Sequence, residues 1–300
     1  MKYAQRLFRP LRLAVAGLLL ALAAPAAAQS GNAQGEWLRY PDARSVQIRD
    51  MAAIVHVTPE ARVDVAVSIV NLGPLPAPEF RISRERLIID GQLRRQIRSC
   101  RALEGGGFEA EIARRGRLSR ERLTIVHMRV PLDADVAVGG ANQVRVGRSD
   151  ALDFSIAGCG AADIENVAGE AHVSLAGGAP DVRLYDAGSA TVSLAGGGDI
   201  TIGVVRRELT LSIAGAGEAV VARADGPTTI AVQGSGDVVI RDGRATPLSV
   251  AIAGAGDVVH NGSADRLDVA ILGAGDVRVA RVDGEVTRRI LGAGDVRIGN

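Results

Sequence analysis

A short glycine-containing string recurs through the second half of the sequence, and it constrains the fold more than any other feature. It is written SIAGCG, SLAGGA, SLAGGG, SIAGAG, AVQGSG, AIAGAG, AILGAG and RILGAG, and an earlier copy, VAVGGA, brings the total to nine. The first glycines of the eight later copies follow one another at a nearly constant interval: Gly158, Gly177, Gly196, Gly215, Gly234, Gly254, Gly273 and Gly292. A period of about 19 residues indicates a solenoid, whose units are too small to bury their apolar side chains alone.

Each copy alternates between large apolar and small residues. Ile271 and Val269 stand two and four positions before Gly273, and Ala270 lies between them. This period of two is typical of a strand with one buried face. A second short strand follows the glycines, as in 276–279, and a turn then restarts the cycle. A β-propeller fits poorly, because its blades need about 40 residues each.

We therefore predict an all-β protein whose residues 139–300 form a right-handed parallel β-helix with coils of about 19 residues. Stacked at about 4.8 Å, the coils would bury their Ile, Leu and Val columns in one core. The repeated glycines would form a tight corner. Residues 29–138 are less regular, and we expect them to form degenerate first coils or a β-rich cap over the end of the solenoid.

The N-terminal segment 1–28 has the pattern of a secretory signal peptide. Four cations (Lys2, Arg6, Arg9 and Arg12) precede an apolar run over 13–24, and the small residues 26–28 precede Gln29. The apolar run is too short to span a bilayer, which takes about 20 residues. The pattern predicts a periplasmic or extracellular protein that does not span the membrane after cleavage.

The charge of the mature chain argues against nucleic-acid binding. The whole chain is +1, and the leader carries four positive charges and no acids, which leaves about −3 for residues 29–300. The cations are not clustered into the basic footprint that nucleic-acid binding requires.

The GSGDV and GAGDV motifs and the glycine-rich coils around them resemble the putative auto-transporter adhesin, head GIN domain family. The resemblance extends to the segment ending near 128–131 and to the GCG string at 158–160. It implies a β-helical fold and an exported location, and the family name suggests adhesion.

Two cysteines remain in a chain that we expect to be exported, Cys100 and Cys159. An even count in such a chain favours a disulfide, with two buried free thiols as the alternative. No histidine lies near them in the sequence, so they do not indicate a metal site.

An acidic residue stands three positions after the first glycine of six coils: Asp199, Glu218, Asp237, Asp257, Asp276 and Asp295. Oxygen-rich repeats can bind Ca²⁺, but the calcium-binding β-roll uses a nine-residue repeat with one Asp in each. We favour the alternative that each carboxylate accepts backbone N–H bonds in its turn, so no metal or cofactor is predicted.

Two further surfaces are candidates for binding. The small outward residues of the coils, such as Ser193 and Ala195, predict a flat face that could dock a partner or could reflect only the crowding of close coils. Residues 81–122 contain 12 Arg, which could meet anionic sugars or lipid head groups. Interleaved acids make a solvated surface the preferred interpretation.

No sequence motif for catalysis is present. G-x-S-x-G, H-E-x-x-H and Walker motifs are absent, and GAGDV is not followed by the helix that a dinucleotide site needs. Only Phe154 and Tyr185 are aromatic within 139–300, so stacking platforms for sugars are predicted to be missing. In the last coil Arg288 and Arg289 replace an apolar and a small residue, which should discourage end-to-end pairing.

The sequence thus favours an exported, non-enzymatic protein with a role in surface interaction or in envelope structure. The binding partner stays unknown, with an envelope or cell-surface component the leading possibility. The alternatives are a β-helical enzyme that acts on polysaccharides and a periplasmic scaffold that polymerises end to end.

Overall fold

A computed structural model describes residues 35–71, 73–103 and 107–299, and the predicted signal peptide, 1–28, lies outside them. The strands are β1 Trp37–Tyr40, β2 Ser45–Glu60, β3 Val65–Asn71, β4 Glu79–Ser83, β5 Arg86–Asp90, β6 Ile97–Leu103, β7 Gly107–Ile112, β8 Gly116–Ser119, β9 Thr124–Pro131, β10 Asp133–Val146, β11 Ala151–Ile164, β12 Val167–Leu184, β13 Ala187–Gly196, β14 Asp199–Gly215, β15 Glu218–Ala224, β16 Gly226–Gly234, β17 Asp237–Ile240, β18 Arg244–Gly254, β19 Val258–Ala264, β20 Leu267–Gly273, β21 Val277–Val282, β22 Val286–Gly292 and β23 Val296–Ile298. Across the described ranges the only helix is a 3-10 turn, Arg120–Arg122, and no helix there could cross a membrane.

The coils stack in parallel with a fixed register. Leu248 pairs with Leu267, and Leu267 pairs with Val286, so each step across the sheet advances the chain by one repeat. The strand after the glycines behaves in the same way, with Val258 paired to Val277. The predicted β-solenoid with coils of about 19 residues is therefore confirmed, and it has about nine turns.

Each coil has two long sides and one short side. We call the strand segment before the glycines the first face, as in 267–272, and the segment after them the second face, as in 276–279. The short side is a brief pairing such as Ala245 with Ala264. Alternate residues of each face point inward, because successive side chains of a strand point to opposite sides of it.

The inward residues form apolar columns that run the length of the solenoid. On the first face one column contains Leu211, Ile230, Val250 and Val269, all almost fully buried. On the second face the column Val221, Ile240, His260 and Val279 includes one polar member. His260 is buried, its Nε2 lies 3.1 Å from the carbonyl oxygen of Ser263, and burial lowers its pKa.

The corner between the two faces requires glycine. Gly254 has a φ of +145° and Gly273 has a φ of +137°, which side-chain-bearing residues rarely adopt. A Cβ at Gly273 would also overlap the carbonyl oxygen of Gly254 in the preceding coil. That same oxygen accepts the N–H of Ala274 at 2.8 Å, so the corner also carries a hydrogen bond between coils.

The stack continues before residue 139. Strand β2 pairs in parallel with β10, with Val46 opposite Val136 and Val55 opposite Val144. The other edge of β2 pairs in parallel with β5 and β9. Antiparallel strands β4, β3 and β1 then extend this end of the sheet. Residues before 139 thus supply both a coil-like strand and a β-rich extension.

A small antiparallel sheet, β6 to β8, packs against the outside of the second face in the first coils. We call it the side sheet. It covers outward residues of the coils, Ile54 and Ala141 among them, in a second apolar core that includes Phe108 and Leu118. Cys100 of β6 and Cys159 of β11 are joined by a disulfide, with their Cα atoms 5.8 Å apart.

The disulfide should be present in the 29–300 chain produced under oxidising conditions and should hold the side sheet to the solenoid. Labelling of the denatured, unreduced chain is expected to find no free thiol, and two labelled thiols would contradict this. A C100S/C159S variant should lose up to about 4 kcal/mol of unfolding free energy, because the bond closes a long loop of the unfolded chain.

The solenoid end formed by β22 and β23 exposes apolar side chains next to charges. Ile290 points inward yet is 38% exposed, and Leu291 is 72% exposed. Arg288 lies opposite Val269 and Arg289 lies opposite Ala270, both in register and both exposed.

We expect these two arginines to prevent end-to-end association, since cations at an open strand edge disfavour pairing. Sedimentation of the 29–300 chain should show a monomer, and an R288V/R289A variant should form dimers or larger species. An R278A variant, changed on the strand next to the terminal one, should stay monomeric because the backbone at Arg278 is already paired with that strand. Long polymers of the unmodified chain would instead favour the scaffold alternative.

Candidate functional site

The predicted acidic residues form one outward column on the second face, and the column holds the coils together. The Oδ1 of Asp237 accepts the N–H of Asp257, and the Oδ1 of Asp257 accepts the N–H of Asp276, each at 2.8 Å. The same bond joins Asp276 to the N–H of Asp295 at 3.0 Å. These three carboxylates therefore each accept a backbone N–H, but from the next coil rather than from their own turn.

The column has a further member, Asp181, which was not found by looking three positions after the first glycine of each coil. Asp181 pairs in register with Asp199, but an irregular corner in its coil shifts it by one residue relative to Gly177. The longer side chain of Glu218 interrupts the pattern, since the N–H of Asp237 donates to the carbonyl oxygen of Gly217 instead.

Asp295, the last acid of the column, accepts hydrogen bonds from residues of its own coil. The Oδ2 of Asp295 accepts the Nε–H of Arg297 and its Oδ1 accepts the N–H of Val296. These two hydrogen bonds, the one from Arg297 first, lower the pKa of Asp295. Within 35–71, 73–103 and 107–299, no group of three or more His, Cys, Asp or Glu is arranged to hold a metal ion.

The flat face of small side chains lies on the outside of the first face. Ser174, Ser193 and Ser212 lie in one register column, with Ala176, Ala195 and Ala214 in the next. The alanine column ends at two exposed leucines, Leu272 and Leu291. The arginines of 81–122, by contrast, are partly neutralised, as in the pairs Arg86–Asp135 and Arg101–Glu109.

A cavity of about 340 Å³ lies where the second face turns toward the short side, beside the first coils. We call it the Tyr185 pocket. Its lining consists of Arg145, Arg148, Asp163, Glu165, Asn166 and Tyr185. The tyrosine is 49% exposed, whereas Phe154, the other aromatic residue of 139–300, is buried in the core. A potential stacking platform for a sugar ring is therefore present, although none was expected from the sequence.

Three successive coils position these side chains. Arg145 on β10 and Asp163 on β11 are partners in register. Tyr185 follows β12, and its N–H donates to the carbonyl oxygen of Ile164 at 3.0 Å. In the next coil the corresponding residue is Gly203, where a Cβ would overlap the carbonyl oxygen of Tyr185. No side chain of that residue can therefore cover the tyrosine ring.

Not every charged side chain of the pocket forms an ion pair. Asp163 lies 3.6 Å from Arg183, and Glu165 lies 3.7 Å from Arg148. No ion pair or side-chain hydrogen bond within the described part of the chain engages Arg145. Both acids form ion pairs with other guanidinium groups, so Arg145 is the arginine of this pocket's lining that makes none among the described residues.

The pocket continues toward the side sheet as a narrow groove. Arg145 and Asp163 also line this groove, together with His56, Arg120 and Gln143. Arg120 follows the side sheet and donates a hydrogen bond to Gln143 at 3.0 Å. The ring of His56 stacks on that of His127 with centroids 5.0 Å apart. Burial, followed by the charges of His127, Arg145 and Arg120, lowers the pKa of His56.

Two other cavities have weaker chemistry for ligand binding. Near β1, Trp37 is partly exposed, but the guanidinium carbon of Arg129 lies 4.4 Å from its ring centroid. Arg39 and Arg62 of that cavity are both paired to Asp64 at 2.8 Å. A larger cavity beside β5 has no aromatic side chain in its lining.

We expect the acidic column to act through hydrogen bonds rather than through Ca²⁺. An Asp257→Ala variant leaves the N–H of Asp276 without its acceptor, so it should lose about 1 kcal/mol of unfolding free energy. Asp257→Asn keeps a side-chain oxygen and removes a like charge, so it should lose none. Thermal melts with chelator or millimolar Ca²⁺ should coincide, and a rise of several degrees with Ca²⁺ would contradict this interpretation.

Two of the solved structures with a similar fold are named as putative adhesins. A putative adhesin from Parabacteroides distasonis ATCC 8503 aligns with a TM-score of 0.55 and 16% identity, over 90% of this chain and 98% of that one. A putative adhesin from Bacteroides fragilis NCTC 9343 aligns with a TM-score of 0.43 and 11% identity, over 89% and 98%. The first similarity is one of fold. No curated protein sequence matches the chain.

The family comparison concerns the last coils. Residues 204–300 match the model of the putative auto-transporter adhesin, head GIN domain. The matched range contains four of the GSGDV and GAGDV motifs but not the Tyr185 pocket, and the wider resemblance over 128–131 and 158–160 stays a prediction. The resemblance indicated by the glycine-rich coils is thus confirmed over residues 204–300: this part of the chain matches the putative auto-transporter adhesin, head GIN domain family.

Proposed function

We propose that this chain is an exported, non-enzymatic protein of adhesin type, which contacts a partner at the cell surface or in the envelope through the sides of its solenoid. The observation that carries the proposal is the continuous parallel register from β2 to β23. Nine turns at about 4.8 Å make a rod roughly 40 Å long. Its long, regular sides suit contact with an extended partner.

The family model and one structural neighbour support the same function. The matched family model describes an adhesin head domain, and the solved neighbour from Parabacteroides distasonis is named as a putative adhesin. The leader pattern of residues 1–28 supports export, since it combines cations, a short apolar run and a small-residue cleavage site.

The chemistry of the Tyr185 pocket favours binding over polysaccharide cleavage. A glycosidase needs one carboxylic acid that holds a proton beside a second, ionised carboxylate. Asp163 and Glu165 are 39% and 50% exposed at their side chains, and each faces a guanidinium group. Both carboxylates are already engaged by guanidinium groups, so their geometry supports binding rather than general-acid catalysis.

The proposal is tested by expressing the full chain with its own leader in a bacterial host. We expect the protein outside the cytoplasm with Gln29 at its N-terminus. Beads coated with the 29–300 chain should adhere to isolated envelope several-fold more than albumin-coated beads. Incubation with polysaccharides should release no new reducing ends.

Three outcomes would overturn separate parts of this proposal. Retention in the cytoplasm with residues 1–28 intact would contradict export. Equal adhesion of both kinds of bead would contradict the adhesin-type role. Release of reducing ends would instead favour the β-helical enzyme, and it should then disappear in a D163N/E165Q variant.

A further inference from the structure

We propose that the Tyr185 pocket binds a carboxylate-bearing sugar unit, such as a uronic acid residue of an envelope or host polysaccharide. The inference rests on the proposed function and names the ligand class for it. A cavity of about 340 Å³ is large enough for one or two sugar rings rather than for a large ligand.

The aromatic ring supplies the first element of recognition. Sugars present C–H faces that stack on aromatic side chains, and their hydroxyl groups still need polar partners. Tyr185 is half exposed at the corner of its coil, and the residue after it in the stack, Gly203, has no side chain. Tyr185 therefore offers the one exposed Phe, Tyr or Trp ring among the described residues of 139–300.

Arg145 supplies the second element. Its guanidinium is exposed and unpaired within the described residues, and it lines the same cavity as Tyr185. Arginine binds a carboxylate with two parallel N–H···O bonds, and these charge-assisted bonds are stronger than neutral ones. A sugar acid would thus meet the one guanidinium of the pocket that makes no ion pair within the described residues.

The remaining lining suits hydroxyl groups. The amide of Asn166 both donates and accepts hydrogen bonds, and the oxygens of Asp163 and Glu165 accept them. Because these two acids already face Arg183 and Arg148, they add little repulsion toward an incoming anion. The lining is therefore polar, with two guanidinium groups and two carboxylates, and one of those guanidinium groups, that of Arg145, makes no ion pair among the described residues, which fits an acidic saccharide better than an apolar ligand.

Arg278 provides a matched control for the removal of the positive charge of Arg145. Arg278 occupies the same outward column as Arg145, several coils away from the pocket. It is exposed and has no ion-pair partner among the described residues. A change at Arg278 removes the same charge from the same face without touching the cavity.

The test measures retention of the 29–300 chain on an array of carboxylated and neutral glycans, followed by titration with oligogalacturonate and with its methyl ester. We expect retention by carboxylated glycans and at least tenfold weaker binding of the ester. Tyr185→Ala and Arg145→Gln should each weaken binding at least tenfold, Tyr185→Phe should weaken it less, and Arg278→Gln should leave it unchanged.

The proposal is overturned if no carboxylated glycan is retained, or if Tyr185→Ala and Arg145→Gln bind as well as the unmodified chain. Equal binding of the acid and its ester would overturn the assignment of a carboxylate ligand. Adhesion of coated beads to envelope that persists unchanged in Tyr185→Ala would likewise overturn this inference, and the adhesin-type function would still stand.

Discussion

The structure depends on the backbone hydrogen bonds between consecutive coils, because no coil can bury its apolar side chains without a neighbour. These bonds hold the coils at about 4.8 Å, a spacing too close for side chains at the corner. Glycine at positions such as 254 and 273 is the consequence, since the backbone there has positive φ and the next coil lies where a Cβ would be. The glycine-rich strings are therefore a packing requirement of the fold.

The same spacing brings identical residues into columns, and the acidic column shows how the chain tolerates this. Carboxylates about 5 Å apart repel one another by roughly 1 kcal/mol even in water. Here the repulsion is offset, because four members of the column (Asp199, Asp237, Asp257 and Asp276) each accept the backbone N–H of the acid in the next coil. The geometry suits Asp: at Glu218, whose side chain has one more methylene group, the N–H of Asp237 donates to the carbonyl oxygen of Gly217 instead. The column is thus a structural device of the repeat.

The repeat made much of the fold predictable, and irregular packing limited the rest. Period-two alternation and the regular interval between the glycines predicted the coils, the apolar columns and the glycine corner. The same rule missed Asp181, because its corner differs in length from the others. Spacing alone could not show that β2 joins the stack, or that Ile54 and Ala141 are covered by the side sheet, since those contacts join segments without a shared pattern.

The Tyr185 pocket could not be predicted from the sequence repeat for a related physical reason. A perfect repeat presents the same residues on every coil, so it can build a long uniform surface but not a single distinctive pocket. The Tyr185 pocket arises where neighbouring coils carry different residues at equivalent corner positions: Glu165, then Tyr185, then Gly203. It also lies beside the groove that reaches the side sheet, where Arg120 and Gln143 meet. Specific recognition by such a solenoid should therefore be sought where its sequence departs from the repeat.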